Sequence, residues 1–424
     1  MREMKDSGVK WVGEIPSSWK VYKVKQIADS NNDVLPENYE EEQEIDYIEI
    51  GSVTYEHGVR TTEKMKFGNA PSRARRIVHN GDTIISTVRT YLKAIAYIDD
   101  SLADKIVSTG FSVVTPHKDV VAKFLYYALS THSFISNVEA HSVGISYPAI
   151  NNTNLMDLKI VLPMQREQIQ IASYLDAKCS KIDEIIEKQQ AIIEKLKEFK
   201  FSIITEAVTK GINPDVEMKD SGSVWFGNIP INWEMKRLKY VFHIQKDIAG
   251  EEGHTVLSIT QKGIIPKDFS NNEGQFANSY ANYQLVHKGD FAMNHMDLLT
   301  GWVDISKYEG VTSPDYRVFV LNDKNGMCPE YYLYMMQMCY SARIFYGLGQ
   351  GVSGMGRWRL QADKFLNFHI PIPPYDEQKI IADYITDKVN HIEVEIDKRN
   401  KLVEKYQEYK KSLIYEVVTG KKEV

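Results

Sequence analysis

Residues able to bind a polyanion are concentrated in two stretches. Between positions 60 and 93, Arg60, Lys64, Lys66, Arg73, Arg75, Arg76, Arg89 and Lys93 stand against only Glu63 and Asp82. The preceding run, Asp33–Glu49, holds no Lys or Arg. Cations clustered like this in an acidic chain point to one face made for phosphate. The second stretch, "GLGQGVSGMGRWRL" (Gly347–Leu360), offers Gln350, Ser353, Arg357, Trp358 and Arg359 within a glycine run. Glycine allows close backbone approach, and Arg takes guanine bidentately or binds phosphate. The corresponding place earlier in the chain is "SVGISYPAINNTN" (Ser142–Asn154), with Ser146 and Tyr147 as candidates. A solvated surface loop is the alternative reading of each stretch.

Patterns that would carry catalysis are incomplete. "IPPY" (Ile372–Tyr375) resembles the Pro-Pro-aromatic signature of amino-methyltransferases, but Ile372 cannot accept a hydrogen bond where Asp, Asn or Ser is needed. "GQGVSG" (Gly349–Gly354) follows a helical stretch instead of a strand and opens no helix, so the dinucleotide context is missing. "SPDYRVFVLNDK" has the Pro-Asp of a nuclease core without the Glu-x-Lys that should follow. The histidines are scattered, and no catalytic or metal residue is assigned. Cys179, Cys328 and Cys339 are too few and too dispersed for a disulfide framework or a zinc site. The start, "MREMKDSG", has no apolar core, and no apolar run is long enough to span a bilayer. These features predict a cytoplasmic protein without membrane contact. A net charge of −6 excludes a generic, sequence-blind nucleic-acid binder, so any basic surface must be local.

The elements that must position these residues occur twice. "MKDSGVKWVGEIPSSWKVYKVKQI" (Met4–Ile27) aligns without gaps on Met218–Val241, pairing Trp11 with Trp225, Pro16 with Pro230 and Trp19 with Trp233. Ile160–Thr209 aligns without gaps on Ile370–Thr419, pairing Pro163, Glu167 and Gln168 with Pro373, Glu377 and Gln378. The bodies between these markers share little beyond "VHNGDTIIS" (Val78–Ser86) and "VHKGDFAMN" (Val286–Asn294). In each, β-rich runs precede a helical segment, "VVAKFLYYALSTHSFI" or "PEYYLYMMQMCYSARIFY".

Glu167–Thr209 contains neither Pro nor Gly, and Gly211 stands where a C-terminal cap is expected. Leu175, Ile182, Leu196 and Ile203 recur at heptad spacing, widened by Ile185, Ile192 and Phe199 three further on, with Ile186 and Ile193 beside them. The second copy repeats the seam with Ile385, Ile392, Tyr406 and Leu413, plus Leu402 and Tyr409. A helix of roughly 65 Å exceeds what one compact domain needs. The predicted fold is α+β: two similar β-rich domains with helices, separated by two long antiparallel coiled-coil-like helices, as an internal repeat with a pseudo-twofold axis. The expected boundaries are 1–162 and 212–372 for the domains, 163–211 and 373–424 for the helices.

The "SG.xW.G.IP..W" starts, the "P..EQ..IA.YL" exits and their full repetition resemble the specificity (S) subunits of type I restriction–modification enzymes, over the whole chain. The resemblance implies a sequence-specific, non-catalytic DNA-binding subunit in phage defence. Each target-recognition domain would read one half of a bipartite, asymmetric site in double-stranded DNA. The conserved helices would dock two methyltransferase (M) subunits, with motor-nuclease (R) subunits joining for cleavage. S-adenosylmethionine, ATP and Mg would sit in those partners and no cofactor in this chain. The alternative within this class is the specificity subunit of a related system that cuts both sides of its site with a fused methyltransferase–nuclease. A self-sufficient modification enzyme and a scaffold without DNA binding are the readings from other classes.

Overall fold

The computed structural model describes residues 2–36, 38–269, 277–351 and 358–424. The chain forms two compact units, residues 1–190 with 401–424, and residues 191–400.

The first unit opens on a hairpin, Met4–Asp6 with Glu14–Pro16. Its next strand, Lys20–Lys23, pairs antiparallel with Lys159–Leu162, so the two ends of the body are tied side by side. Between them lies a four-stranded antiparallel sheet in the order Ile95–Tyr97, Thr83–Ser86, Phe111–Pro116, Ala28–Ser30. A second sheet runs Glu63–Lys66, Glu44–Ile48, Ile106–Ser108, Ala74–Ile77, with one parallel pair at its centre. The predicted helical segment is two helices, Ala122–Leu129 and His132–Ala140, with Thr131 capping the second.

The second unit repeats the frame. Met218–Asp220 pairs with Asn228–Pro230, and Glu234–Arg237 with His369–Ile372. Its main sheet runs Phe242–Gln245, Arg317–Leu321, Phe291–Met293, Val303–Ile305. Two-stranded sheets, Leu257–Thr260 with Gly263–Pro266 and Gln284–Val286 with Gly310–Thr312, stand where the first unit has its second sheet.

The shared motifs have structural causes. In His79–Asp82 the amide of Asp82 donates to the His79 carbonyl at 3.0 Å, with Gly81 at φ +96°. This turn needs a positive φ at its third residue, which glycine supplies without strain. Asp82 Oδ2 then accepts from the His79 amide, as Asp290 does from His287. The Trp19 indole donates to Glu167 and the Trp233 indole to Glu377, each at 3.0 Å. Both indoles are buried and need an acceptor there. Gln168 accepts from the Val121 amide and donates to the Pro163 carbonyl; Gln378 does the same with Cys328 and Pro373. The repeated Trp, Glu and Gln therefore clasp each body to the start of its long helix.

The long helices span Gln165–Lys210 and Tyr375–Val418. Gly211 and Gly420 follow them at φ +76° and +72°. Their seam differs from the sequence expectation. Leu175, Cys179, Ile182, Ile186 and Ile193 are buried, as are Ile385, Ile392, Ile396 and Val403. Phe199, Leu402 and Tyr409, assigned to a widened seam, are exposed. Alternating steps of four and three keep a stripe in line on a 3.6-residue helix, so Ile186 and Ile193, four residues on, hold the second seam position, and the residues three on turn outward. In the first unit Lys410 pairs with Asp183 at 2.7 Å. In the second, Lys200 pairs with Glu393 at 2.5 Å. There Ile193, Ile392 and Ile396 form an apolar cluster backed by Leu196 and Ile203. No helix among the described residues is long and apolar enough to cross a membrane.

Candidate nucleic-acid interface

In the first unit, the turn after strand Thr83–Ser86 and the loop after helix His132–Ala140 are laced together. Ala149 bridges both Val143 and Val88. Thr90 Oγ1 donates to Ser142 Oγ at 2.8 Å, and the Ile150 amide to the Thr87 carbonyl at 2.9 Å. Arg89 and Lys93, at φ 51° and 54°, flank the short turn Thr90–Leu92. Left-handed backbone at non-glycine residues costs about 1–3 kcal/mol each and is held only where the surroundings impose it. The Arg89 guanidinium lies 5.1 Å from the centre of the Tyr147 ring, and Lys93 pairs with Glu139 at 3.5 Å. Ser146 is exposed beside Tyr147. Arg89, Lys93, Ser146 and Tyr147 thus share one end of the unit.

The remaining first-half candidates belong to the second sheet and its approach. Lys64 and Lys66 lie on the edge strand Glu63–Lys66, Arg75 and Arg76 on the opposite edge strand Ala74–Ile77. Arg73 precedes that strand and Arg60 is exposed after the short strand Gly58–Val59. The acidic run is woven among them. Glu42 pairs with Lys66 at 2.6 Å, because Glu44–Ile48 is the strand beside Glu63–Lys66, and Glu49, at the other end of Glu44–Ile48, pairs with Arg73. Arg75 stacks 4.8 Å over Phe67, and burial lowers the pKa of Arg76. Acid and base runs that are separate in sequence interdigitate in space, leaving less free positive surface than the sequence count implied.

In the second unit the equivalent loop keeps the frame. Gln350 and Arg359 exchange both backbone hydrogen bonds, at 2.9 and 3.1 Å, and the Leu360 amide donates to the His295 carbonyl at 2.9 Å. Trp358 stacks on Tyr346 at 5.2 Å and donates its indole hydrogen to the Tyr346 carbonyl at 2.6 Å. A Cβ added at Gly349 or Gly351 would lie 2.6 or 2.3 Å from the Trp358 ring. These two glycines make room for a packed tryptophan. Ser353 and Arg357 lie outside the described residues.

Three residues absent from the sequence reading join Arg359. Arg317 is buried at the start of its strand, donates to the Leu360 carbonyl at 2.9 Å and lies 5.0 Å from the centre of the Phe365 ring. Its Nη1 has no hydrogen-bond partner among the described residues. Burial pulls its pKa down to about 10. His295 is pushed down to about 3 by burial and by the charges of Arg317, Arg359 and Lys246. Arg359 and Lys246 are exposed, so positive charge runs from the surface inward. The available signal was an Arg placed at the head of the apolar run "YRVFVL".

Burial also shifts groups in a cleft away from these loops. A cleft of about 690 Å³ in the first unit includes Tyr126, Asp176 and Cys179 in its lining. Burial pushes the Cys179 thiol up to about 11 and the Tyr126 hydroxyl up to about 12, leaving both protonated at neutral pH. Among the described residues no group of three His, Cys, Asp or Glu side chains could hold a metal ion.

One frame is built twice, with chemically different loop ends at equivalent places. The model of the type I restriction modification DNA specificity domain matches residues 16–200 and again 230–405, and the chain belongs to this family as a specificity subunit. It is 24% identical to the putative type I restriction enzyme MjaX specificity subunit of Methanocaldococcus jannaschii, covering 97% of this chain and 95% of that protein. The MjaVIII specificity subunit of the same organism is 27% identical over 70% of this chain and 69% of its own length. A solved structure described as the basis of complex assembly and conformational transition of the type I R-M system matches with a TM-score of 0.71. That match has 17% identity and covers 96% of this chain and 99% of that one.

Proposed function

We propose that this specificity subunit reads a bipartite, asymmetric site in double-stranded DNA, one half per body. It would carry the sequence choice for two methyltransferase subunits and for the motor-nuclease subunits that join them. The observation that carries this reading is the contrast between matched frames and unmatched loop ends. Clasps through Trp19–Glu167 and Trp233–Glu377 are the same, while one body carries Arg89 with Tyr147 and the other Arg359 with His295. A scaffold alone would have no need for two such different ends on one frame. In this assignment S-adenosylmethionine, ATP and Mg belong to the partner subunits, and this chain contributes recognition. The test is a body exchange: residues 28–159 are replaced by those of another family member, and the methylated motif is read across the host genome. One half of the motif should change and the other persist. A change in both halves would overturn the division of labour.

A further inference from the structure

The first body ends in an exposed apolar group that positive charge does not account for. Ile145 is 102% exposed, Val143 79% and Tyr147 67%, and in the adjoining turn Tyr91 is 52% and Leu92 42% exposed. Single exposed apolar residues are ordinary, but several on two loops tied to each other mark a surface that something covers. The loops are held, not frayed. Val143 and Ala149 exchange both backbone hydrogen bonds, at 2.8 and 3.0 Å, and the Thr90 amide donates to the Pro148 carbonyl. Arg89 stands at the edge of the group against Tyr147, a cation beside an apolar tip.

We propose that the Val143–Ala149 hairpin, with Tyr91 and Leu92 beside it, enters the DNA major groove at the first half-site and reads the 5-position of pyrimidines by apolar contact. The inference rests on the reading of this chain as a DNA specificity subunit and names the chemistry of one of its ends. A two-stranded ribbon fits the major groove, about 12 Å wide, and not the minor groove, about 6 Å wide. The major groove also holds the one apolar feature that distinguishes bases, the thymine methyl. Arg89 supplies the complementary charge for a phosphate or guanine at the groove edge. A hairpin tip without a carboxylate meets no repulsion there, since Val143, Gly144, Ile145, Ser146 and Tyr147 carry no charge.

The test uses the chain assembled with its methyltransferase subunits, after the motif has been read from host DNA. Every base pair contains one pyrimidine, so each can be edited at the 5-position alone, thymine to uracil or cytosine to 5-methylcytosine. In the first half-site at least one edit should change the dissociation constant by about fourfold, the value of one buried methyl. The double variant Val143→Ser/Ile145→Ser, altered only at exposed positions, should erase that sensitivity while leaving second half-site edits unchanged. Neutral edits in the unaltered complex, or edits that act equally on the variant, would overturn the proposal. A variant that no longer assembles with the methyltransferase subunits would make this tip a protein interface and overturn it too. A complex with no sequence preference at all would instead bring down the specificity reading, which the motif measurement reports separately.

Discussion

Four equivalent positions set the two bodies apart. Strand register matches Asn32 to Lys246, Thr87 to His295, Ser112 to Arg317 and Ala149 to Arg359. In the first body the place of the arginine is filled by a neutral relay. Ser112 donates to Asn152 at 2.6 Å, and Asn152 donates to Ser30 at 2.7 Å. In the second body a guanidinium occupies it, and among the described residues no carboxylate is paired with it. A buried cation without an acid is costly, and replacing it with an apolar side chain of similar size is often neutral or stabilising. The contrast teaches that the frame tolerates opposite electrostatics at one site because the backbone bonds, from Ile150 to Thr87 and from Leu360 to His295, are the same.

The sharpest way to break the comparison is to attack the frame itself. Trp19→Ala and Trp233→Ala each remove a buried indole and one donor to a glutamate, at a cost of about 3–5 kcal/mol. Hydrogen exchange resolved by unit should report similar losses, each confined to its own unit; a large effect from one and none from the other would mean the frames are not equivalent. Changing the ends comes next. Arg359→Ala should weaken second half-site recognition by about 1–3 kcal/mol at one base pair if it reads a base. If it binds phosphate, affinity should fall for all sequences and the salt slope should flatten by about one. Arg317→Met should leave stability unchanged or raised. Unchanged binding of Arg359→Ala would remove this end from the interface.

The smallest effect is in pH, and its sign differs between bodies. His295 is depressed in the folded state, so the unfolded chain binds the extra proton first. Stability of the second unit should fall as pH drops below about 6.5, by at most about 1.4 kcal/mol per unit. His79, held by Asp33 and Asp104, is raised instead. Its contribution is present below the unfolded pKa and lost as pH rises through the folded one, and exposure keeps it small. Exchange measured at pH 7.5 and 5.5 should therefore loosen the second unit selectively, and His295→Gln should abolish the difference.

The duplication, the strand runs and the long helices were legible because periodicity and repeated motifs are local properties. "FSVVTP" is a strand over all its residues, and Gly211 caps its helix as the spacing required. What hid was pairing across the chain. The basic segment looked one-sided until strand Glu44–Ile48 brought its acids alongside. The glycines around Trp358 looked like backbone freedom for a ligand, whereas two of them accommodate an indole ring. Arg317 gives little local sign of its role, because the Leu360 carbonyl and the Phe365 ring that hold it lie far along the chain.

One packing detail bears on how this protein is made. The core of the first unit includes Val403, Leu413, Ile414, Val417 and Val418, and Gly420 sits where an added Cβ would come within 2.4 Å of Pro16. The second unit is one uninterrupted stretch, 191–400. At a synthesis rate of about 5–20 residues per second, the first unit waits about 10–40 s on the ribosome for residues that complete it. The body translated first is therefore the last able to close, and its open apolar face is a natural client for a chaperone during that interval.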